Sequence, residues 1–390
     1  MKTREVKLGE VANVKGGKRI PKGIGLINIP NGHPYIRVRD LNNKRLLELD
    51  NSYEYVDNET QKVISKYTVK TGDVVLSIVG TIGLVAIVGR TLDGANLTEN
   101  CVKLSSFHGV NRDFLYYYLR SDCGQQEIRC GTVGAVQAKL PIKNIQNIAI
   151  NLPDYTTQER IVSLLLSIDR KIELNQKIND NLEQQAAALF SSLYNRSNTE
   201  VRYTDLIQIL GGGTPKTGET AYWNGNIAFF TPKDVGTPYT FITEKTITEE
   251  GLSHCNSRLY PVNTVFVTAR GTVGKVGLSG IPMAMNQSCY ALVGKETHQL
   301  LVYFYTLKAV DRLKHKASGA VFDAITTRDF DSEQIMKLSD DDAKAFLCVA
   351  EPMFQEMLNN SIENLRLSTL RDFLLPKLMS GEIDVSSVQL

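Results

Sequence analysis

A long amphipathic helix pattern occurs twice in this chain, and it constrains the fold more than any other feature. Residues 157–194 carry apolar side chains at alternating steps of four and three, so that they line one side of a helix. Adding 185 to each position gives a second line of the same character over residues 346–378. Because such a seam is stable only when another helix covers it, the two segments are predicted to pack against each other.

The predicted seam has two asparagines near its middle in each copy. A polar side chain on a seam usually selects one register, and antiparallel pairing would place Asn175 and Asn179 opposite Asn364 and Asn360. Solvated asparagines on a loosely paired stretch are the alternative. In the second copy Arg371 takes an apolar position, where it is expected to snorkel to the surface or to meet an acidic partner. The principal seam positions are Ile161, Leu165, Ile168, Ile172, Asn175, Asn179, Leu182, Leu189, Asn360, Asn364, Leu367 and Leu374.

The segments beside the helices repeat as well. MNQSCYALVG (285–294) repeats LTENCVKLSS (97–106) with a shift of 188, which pairs Cys289 with Cys101. ARGTVGKVGLSG in the second copy stands where VGTIGLVAIVG stands in the first. In that first copy, 74–79 and 84–88 are predicted as buried strands joined by a turn at Gly80 to Gly83. A period this long indicates a duplicated domain and not a solenoid.

The predicted fold is therefore α+β, with two similar domains separated by two long helices that pack as an antiparallel coiled coil with approximate two-fold symmetry. About 38 helical residues at 1.5 Å each span roughly 57 Å, which corresponds to about 16 or 17 base steps of duplex. Pro352 lacks an amide hydrogen and predicts a break or kink near Glu351. The expected boundaries are a first domain at 1–152, a first spacer helix at 153–197, a second domain at 198–337, and a second spacer helix with a C-terminal tail at 338–390.

Composition narrows the class of protein. A chain of 390 residues with 22% charged and 42% hydrophobic residues is typical of a globular protein of two or three domains. There is no apolar run of about 18 residues, and the start MKTREVKLGE lacks the core of a signal peptide, so a cytoplasmic location without membrane contact is expected. The cysteines and histidines have neither metal-binding nor disulfide-framework spacing, so no metal site is predicted.

Positive charge is unevenly distributed along the chain. The net charge is +7 over residues 1–152, −1 over 153–197, +1 over 198–337 and −5 over 338–390. The excess in the first domain fits a polyanionic partner, although an ordinary charged surface would give the same count.

Catalytic motifs are weak. Asn151-Leu152-Pro153-Asp154 is only a faint match to the motif of amino methyltransferases, and no glycine-rich cofactor loop precedes it. The segment 213–220 resembles a phosphate-binding loop, but Glu219 stands where the lysine must be and would repel phosphate. No catalytic residues are predicted, and no cofactor is expected to bind the chain directly.

The usable chemistry is basic and polar, and it lies beside the glycine turns. Lysine and arginine neutralise phosphates, whereas arginine and amide side chains also reach base edges. For any single residue, a surface or packing role is the competing interpretation. The predicted DNA-binding set is Lys15, Lys18, Arg19, Lys22, Arg37, Arg39, Gln137, Thr214, Lys216, Tyr222, Trp223, Lys233, Arg270, Lys275, Asn286 and Gln287.

Over nearly its whole length the chain resembles the specificity subunit of type I restriction-modification systems. The segments that carry the resemblance are 152–194, LRDFLLPKLMSGEID (370–384), RGTVGKVG (270–277) and MNQSCYAL. The resemblance implies two target recognition domains that each read half of a bipartite site in double-stranded DNA, with helices that fix the spacer and dock two modification (methyltransferase) subunits. It also implies restriction subunits, ATP-dependent nucleases, in the full complex. Those partners would use S-adenosylmethionine and ATP, and this chain would be non-catalytic. A duplicated scaffold that binds proteins without DNA specificity is the alternative.

Overall fold

The structure, a computed structural model, describes residues 3–41, 45–134, 136–236, 238–316 and 324–385. The chain divides into two compact units, of which unit 1 combines residues 1–171 with 366–390 and unit 2 contains residues 172–365. Each unit holds one β-rich domain together with a stretch of both long helices.

Domain 1, the β-rich part of unit 1, is built from short strands. They are β1 (Thr3–Lys7), β2 (Asn13–Gly16), β3 (Pro34–Ile36), β4 (Leu46–Leu47), β5 (Glu54–Tyr55), β6 (Val74–Ser77), β7 (Val85–Val88), β8 (Asn96–Leu97), β9 (Cys101–Ser105) and β10 (Ala149–Pro153). One sheet has the order β2-β9-β6-β7-β4, a second has the order β5-β3-β8, and β1 pairs with β10. The helices that join or follow these strands are α1 (Leu8–Val11), α2 (Asn58–Ile64), α3 (Arg112–Arg120), α4 (Asp122–Gly131), α5 (Ile142–Gln146) and the long α6 (Tyr155–Arg196), which continues into unit 2.

The buried strands predicted at 74–79 and 84–88 are β6 and β7. Every residue of both strands is buried, as expected for apolar runs covered on two faces. The turn between them contains Gly80 at φ 79° and Gly83 at φ 91°, which is a backbone conformation that favours glycine. The predicted turn is therefore confirmed.

Domain 2, the β-rich part of unit 2, repeats this design. Its strands are β11 (Thr199–Arg202), β12 (Ile207–Gly211), β13 (Trp223–Phe230), β14 (Tyr239–Thr240), β15 (Lys245–Ile247), β16 (Val265–Thr268), β17 (Val276–Ser279), β18 (Met283–Met285), β19 (Cys289–Gly294) and β20 (Gln334–Lys337). Its sheets have the orders β12-β19-β16-β17-β14, β15-β13-β18 and β11-β20. The helices are α7 (Tyr203–Leu206), α8 (Glu249–Ser253), α9 (Gln299–Lys316), α10 (Thr327–Ser332) and the long α11 (Asp340–Ser380), which ends in unit 1.

Strand for strand, the two domains have the same topology. Adding ten to each strand number of domain 1 reproduces all three sheet orders of domain 2. Cys101 and Cys289, paired by the sequence repeat, are both buried and both begin the equivalent strands β9 and β19. The predicted duplication is confirmed.

Within unit 2 the two long helices pack antiparallel through asparagines. The Asn175 side-chain amide donates to Asn364 Oδ1 at 3.0 Å and to Glu363 Oε2 at 2.6 Å. The Asn360 side-chain amide donates to Asn179 Oδ1 at 3.0 Å. Position 175 faces 364 and position 179 faces 360, so the residue number rises along α6 while it falls along α11. This is the antiparallel pairing that the repeat predicted.

Within unit 1 the seam contains a charge pair. Arg371 Nη1 lies 2.9 Å from Asp169 Oδ1, and the other oxygen of Asp169 accepts the hydroxyl of Tyr117 at 2.5 Å. The acidic partner expected for Arg371 is therefore Asp169. From this ion pair towards domain 1 the contacts become apolar: Ile161 and Leu165 of α6 and Leu378 of α11 lie in the core of that domain.

Of the break or kink predicted near Glu351, the break is wrong, because α11 runs as one helix from Asp340 to Ser380. Pro352 and Glu351 are exposed. On an exposed side of a helix, water satisfies the carbonyl that the proline leaves without a partner, so the helix continues.

The sequence seam missed an aromatic residue, Phe190, that anchors α6 in the core of unit 2. Phe190 is 1% exposed, and its ring lies 5.0 Å from that of Phe304 and 5.4 Å from those of Tyr305 and Phe346. Leu189, the predicted seam residue beside it, is half-buried. A cluster of this kind locks the long helix to the core of domain 2.

Candidate nucleic-acid interface

In domain 1, three loops are joined by backbone hydrogen bonds at one edge of the sheets. The amide of Gly17 donates to Cys101 O at 3.0 Å, that of Lys18 to Leu97 O at 2.8 Å, and that of Ile78 to Asn100 O at 2.8 Å. A Cβ on Gly17 would lie 2.1 Å from Thr98 O, so only glycine fits there. We call this surface the domain-1 loop face; it comprises residues 15–22, 37–41, 78–84 and 97–100.

Domain 2 contains the same framework. The amide of Gly213 donates to Met285 O at 3.1 Å, that of Ala269 to Ser288 O at 2.8 Å, and that of Asn286 to Phe230 O at 3.0 Å. A Cβ on Gly212 would lie 2.2 Å from Asn286 O, as at Gly17 in domain 1. The domain-2 loop face comprises residues 211–216, 231–234, 269–275 and 286–288. One backbone frame is thus built twice and carries different side chains.

The exposed basic residues of the domain-1 loop face lie on the segment that follows β2. Lys15, Lys18 and Lys22 are exposed, and the Lys18 amine lies 5.7 Å from the centre of the Tyr67 ring. Arg19 Nε lies 2.5 Å from Glu99 Oε1. The three lysines of this segment are therefore available to bind an anion, whereas Glu99 partly neutralises the charge of Arg19.

Arg37 and Arg39 share one carboxylate. Arg39 Nη2 lies 2.6 Å from Glu54 Oε2, and the guanidinium of Arg37 also contacts Glu54. As placed here, both side chains therefore serve to fix the face. Asp40, next to Arg39, accepts the amide of Arg37 at 2.7 Å; burial raises the pKa of Asp40 to about 6 against the opposing effect of Arg39. A carboxyl group in this face is thus expected to titrate near pH 6.

Gln137 lies on an exposed loop tip beside the domain-1 loop face. Two backbone hydrogen bonds of 2.9 Å between Val133 and Lys139 close the loop. Lys139 bridges to Val79, and the amide of Leu140 donates to Ile78 O at 3.0 Å, so the tip is attached to the turn after β6.

The domain-2 loop face contains a cleft of about 470 Å³ that brings together three of the predicted residues. Lys233, Arg270 and Asn286 line it, and Lys245, which the sequence did not single out, lies on its wall. Lys245 comes from β15, and only the pairing of β15 with β13 brings it there, so local sequence carries no signal for it. The lining residues are Thr231, Pro232, Lys233, Glu244, Lys245, Arg270, Gly271, Thr272, Asn286 and Ser288.

The remaining predicted residues of domain 2 lie outside the cleft. Thr214 donates its hydroxyl to the side chain of Gln287, and Lys275 is exposed on the turn after β16. Trp223 donates its indole N–H to Lys216 O at 3.1 Å and packs edge-on against Phe229. Tyr222 stacks on His254 with ring centres 5.0 Å apart. As placed, Trp223 and Tyr222 each pack against an aromatic ring of domain 2, and their contact with DNA stays a prediction.

The chemistry of both faces is that of recognition. They present ammonium, guanidinium and amide groups, which bind phosphate oxygens and base edges. Over the described residues, no group of three or more His, Cys, Asp or Glu side chains is placed to hold a metal ion. None of the described helices combines the length and apolar character needed to cross a membrane.

A duplicated α+β domain with two basic loop faces, each joined to a long helix, is the arrangement expected of a DNA-specificity protein. The model of the type I restriction modification DNA specificity domain family matches residues 2–184 and 195–337. The chain belongs to that family.

Individual relatives are similar to this chain at moderate identity. The specificity subunit of the type I restriction enzyme HindI from Haemophilus influenzae is 25% identical over 339 residues, which cover 66% of this chain and 73% of that protein. The EcoR124I/EcoR124II specificity subunit from Escherichia coli is 30% identical over 182 residues and 43% of each chain. A crystal structure of a type I restriction-modification S subunit from M. genitalium has a similar fold, with a TM-score of 0.58 at 15% identity over 97% of this chain and 96% of that one.

Proposed function

We propose that this chain is the DNA-recognition subunit of a type I restriction-modification complex and reads a bipartite duplex site, one half with each loop face. The observation that carries the proposal is the backbone frame that is built twice with different side chains. The shared backbone frame allows both domains to contact duplex DNA with the same geometry. The different side chains allow each domain to recognise a different base sequence.

The long helices are proposed to set the distance between the half-sites. Each helix is locked into a domain core, through Phe190 in unit 2 and through Ile161, Leu165 and Leu378 in unit 1. Antiparallel contacts between the helices are fixed by hydrogen-bonded asparagines in unit 2. A helix anchored in this way fixes the distance along its axis at about 1.5 Å per residue.

The reactions are assigned to partner subunits. Two modification subunits using S-adenosylmethionine are proposed to dock on the helices, and restriction subunits using ATP to join them, at the chromosome in the cytoplasm. A base to be methylated is flipped out of the duplex into a methyltransferase pocket, so the specificity subunit needs only to position the DNA. The segment 213–220, which resembles a phosphate loop, supports this division, because Glu219 stands where the lysine must be and Gly213 packs against the backbone of Asn256.

The test is selection from a randomised duplex library by the full chain co-expressed with its modification partner, followed by sequencing. We expect enrichment of two short sequences separated by a constant gap, and an affinity that falls steeply as salt rises. A protein-binding scaffold without DNA specificity would enrich no sequence, and that outcome would refute the proposal. Mapping methylated bases in cells with and without the gene provides an independent check, because the same bipartite site must appear.

A further inference from the structure

The cleft of domain 2 keeps few free hydrogen-bonding groups once its internal contacts are counted. Thr231 donates its hydroxyl to Asp234 at 2.6 Å, and Thr272 donates its own to Pro232 O at 3.0 Å. Asn286 Oδ1 accepts the amide of Ser288 at 3.0 Å. Glu244, the carboxylate among the described lining residues, lies 3.5 Å from the Lys233 amine.

The lining groups that remain for a ligand are mainly donors: the Lys245 amine, which lies over the Trp223 ring, the Ser288 hydroxyl, and two groups suited to base edges. The latter two are the guanidinium of Arg270 and the side-chain NH2 of Asn286, whose oxygen is occupied. Among the described residues, no carboxylate lies within ion-pair distance of Arg270, whereas Arg19, Arg37 and Arg39 of the domain-1 loop face each contact one. The cleft therefore favours a group that presents mainly acceptors.

The backbone holds Arg270 in place. Its amide donates to Ser288 O at 3.2 Å, and it forms a bridge with Ala324. The next residue, Gly271, has φ 80° and makes the turn possible. The backbone fixes where Arg270 enters the cleft, and its guanidinium fork is planar and preorganised for bidentate binding.

DNA offers two acceptor-only groups, phosphate and the major-groove edge of guanine. In that groove guanine presents N7 and O6 as adjacent acceptors, whereas the edges of adenine and cytosine include donors and thymine presents one acceptor with a methyl group. The distribution of the donors between the domains separates phosphate from guanine. The phosphate backbone is the same in both half-sites, so donors that bind it should occur at equivalent positions of both domains. The positions equivalent to Arg270 and Asn286 are Val79 and Thr98 in domain 1.

We infer that the domain-2 cleft binds the major-groove edge of a guanine through Arg270 and Asn286, and that the half-site read by domain 2 contains that guanine. The inference rests on the proposed function. It adds the base class and the residues that recognise it, and it requires the half-site of domain 1 to be read by other contacts.

The experiment repeats the library selection with the full chain and its partner, using Arg270→Ala, Arg270→Lys and Asn286→Ala. The parent is expected to select guanine at one position of one half-site. Arg270→Ala is expected to reduce that preference roughly 5- to 150-fold, the equivalent of about 1–3 kcal/mol for a bidentate contact, and Asn286→Ala to relax the same position. Arg270→Lys restores little of the preference, because an ammonium lacks the planar fork.

The matched control is Lys275→Ala, which removes one positive charge from the same turn outside the cleft. It is expected to weaken binding to all sequences alike and to reduce the salt dependence, as a phosphate contact does. If Arg270→Ala weakens binding to all sequences alike and leaves the guanine preference unchanged, the cleft holds a phosphate and the inference is wrong. A parent that selects no sequence at all would refute the proposed function instead, so the two failures are distinguishable.

Discussion

Arg371→Met is predicted to destabilise unit 1 strongly, because it leaves Asp169 buried without its countercharge. The side chains of Arg371 and Asp169 are 18% and 7% exposed, so water compensates little for a lost partner. Breaking a buried pair typically costs about 3–5 kcal/mol. Asp169 keeps the Tyr117 hydroxyl at 2.5 Å, so we expect the lower end, about 3 kcal/mol.

The assay is scanning calorimetry of the full chain. For a unit of this size each kcal/mol shifts the Tm by roughly 2–4 °C, so Arg371→Met is expected to lower the transition of unit 1 by roughly 6–12 °C. The double variant Asp169→Asn with Arg371→Met removes both charges and keeps an acceptor for Tyr117, and it is expected to recover most of the loss. Asp372→Asn is the control: Asp372 also pairs with Arg371 but is 64% exposed, so the change is worth under about 1 kcal/mol. A single variant as stable as the double variant would refute the reasoning.

Three further predictions concern the seam and the domain-1 loop face. Replacing Asn175, Asn179, Asn360 and Asn364 together with Leu is expected to preserve helix content by circular dichroism but to loosen the register, so that the gap in selected DNA sites becomes variable; an unchanged gap would contradict the role given to the asparagines. The pKa of Asp40 is raised to about 6, because the fold disfavours the charged carboxylate. As this group ionises between pH 5 and pH 7, the free energy of unfolding measured in urea titrations should fall by about 1 kcal/mol. Asp40→Asn should remove this dependence of stability on pH. Gly17→Ala places a Cβ 2.1 Å from Thr98 O and should abolish selection in one half-site, whereas Gly25→Ala, which meets nothing within 4 Å, should leave selection intact.

The parts of the fold that depend on periodicity were predictable from sequence. The repeat predicted the duplicated topology, and the 3.5-residue spacing predicted an antiparallel helix pair with asparagine facing asparagine. Arg371 stood out because it breaks an apolar line, and its partner Asp169 lies on the helix that the line faces. These features follow from rules that relate positions at fixed separations.

The parts that depend on contacts between distant loops were not predictable. Glu54 forms ion pairs with Arg37 and Arg39. The pairing of β15 with β13 brings Lys245 to the cleft, and the indole N–H of Trp223 donates to the carbonyl of Lys216. None of these partners is fixed by spacing along the chain. Pro352 misled for a different reason: its effect on a helix depends on exposure to water, which the sequence alone does not reveal.

The asparagine cluster of unit 2 also limits how the seam can evolve. Asn360 is 6% exposed and donates to Asn179, so an apolar residue at position 179 alone leaves the Asn360 amide in the interior without that hydrogen bond. Intermediates between an asparagine pair and an apolar pair are therefore less stable than either end point. Facing positions are expected to be inherited as pairs, and the register of the helices should change less readily over generations than the side chains of the loop faces.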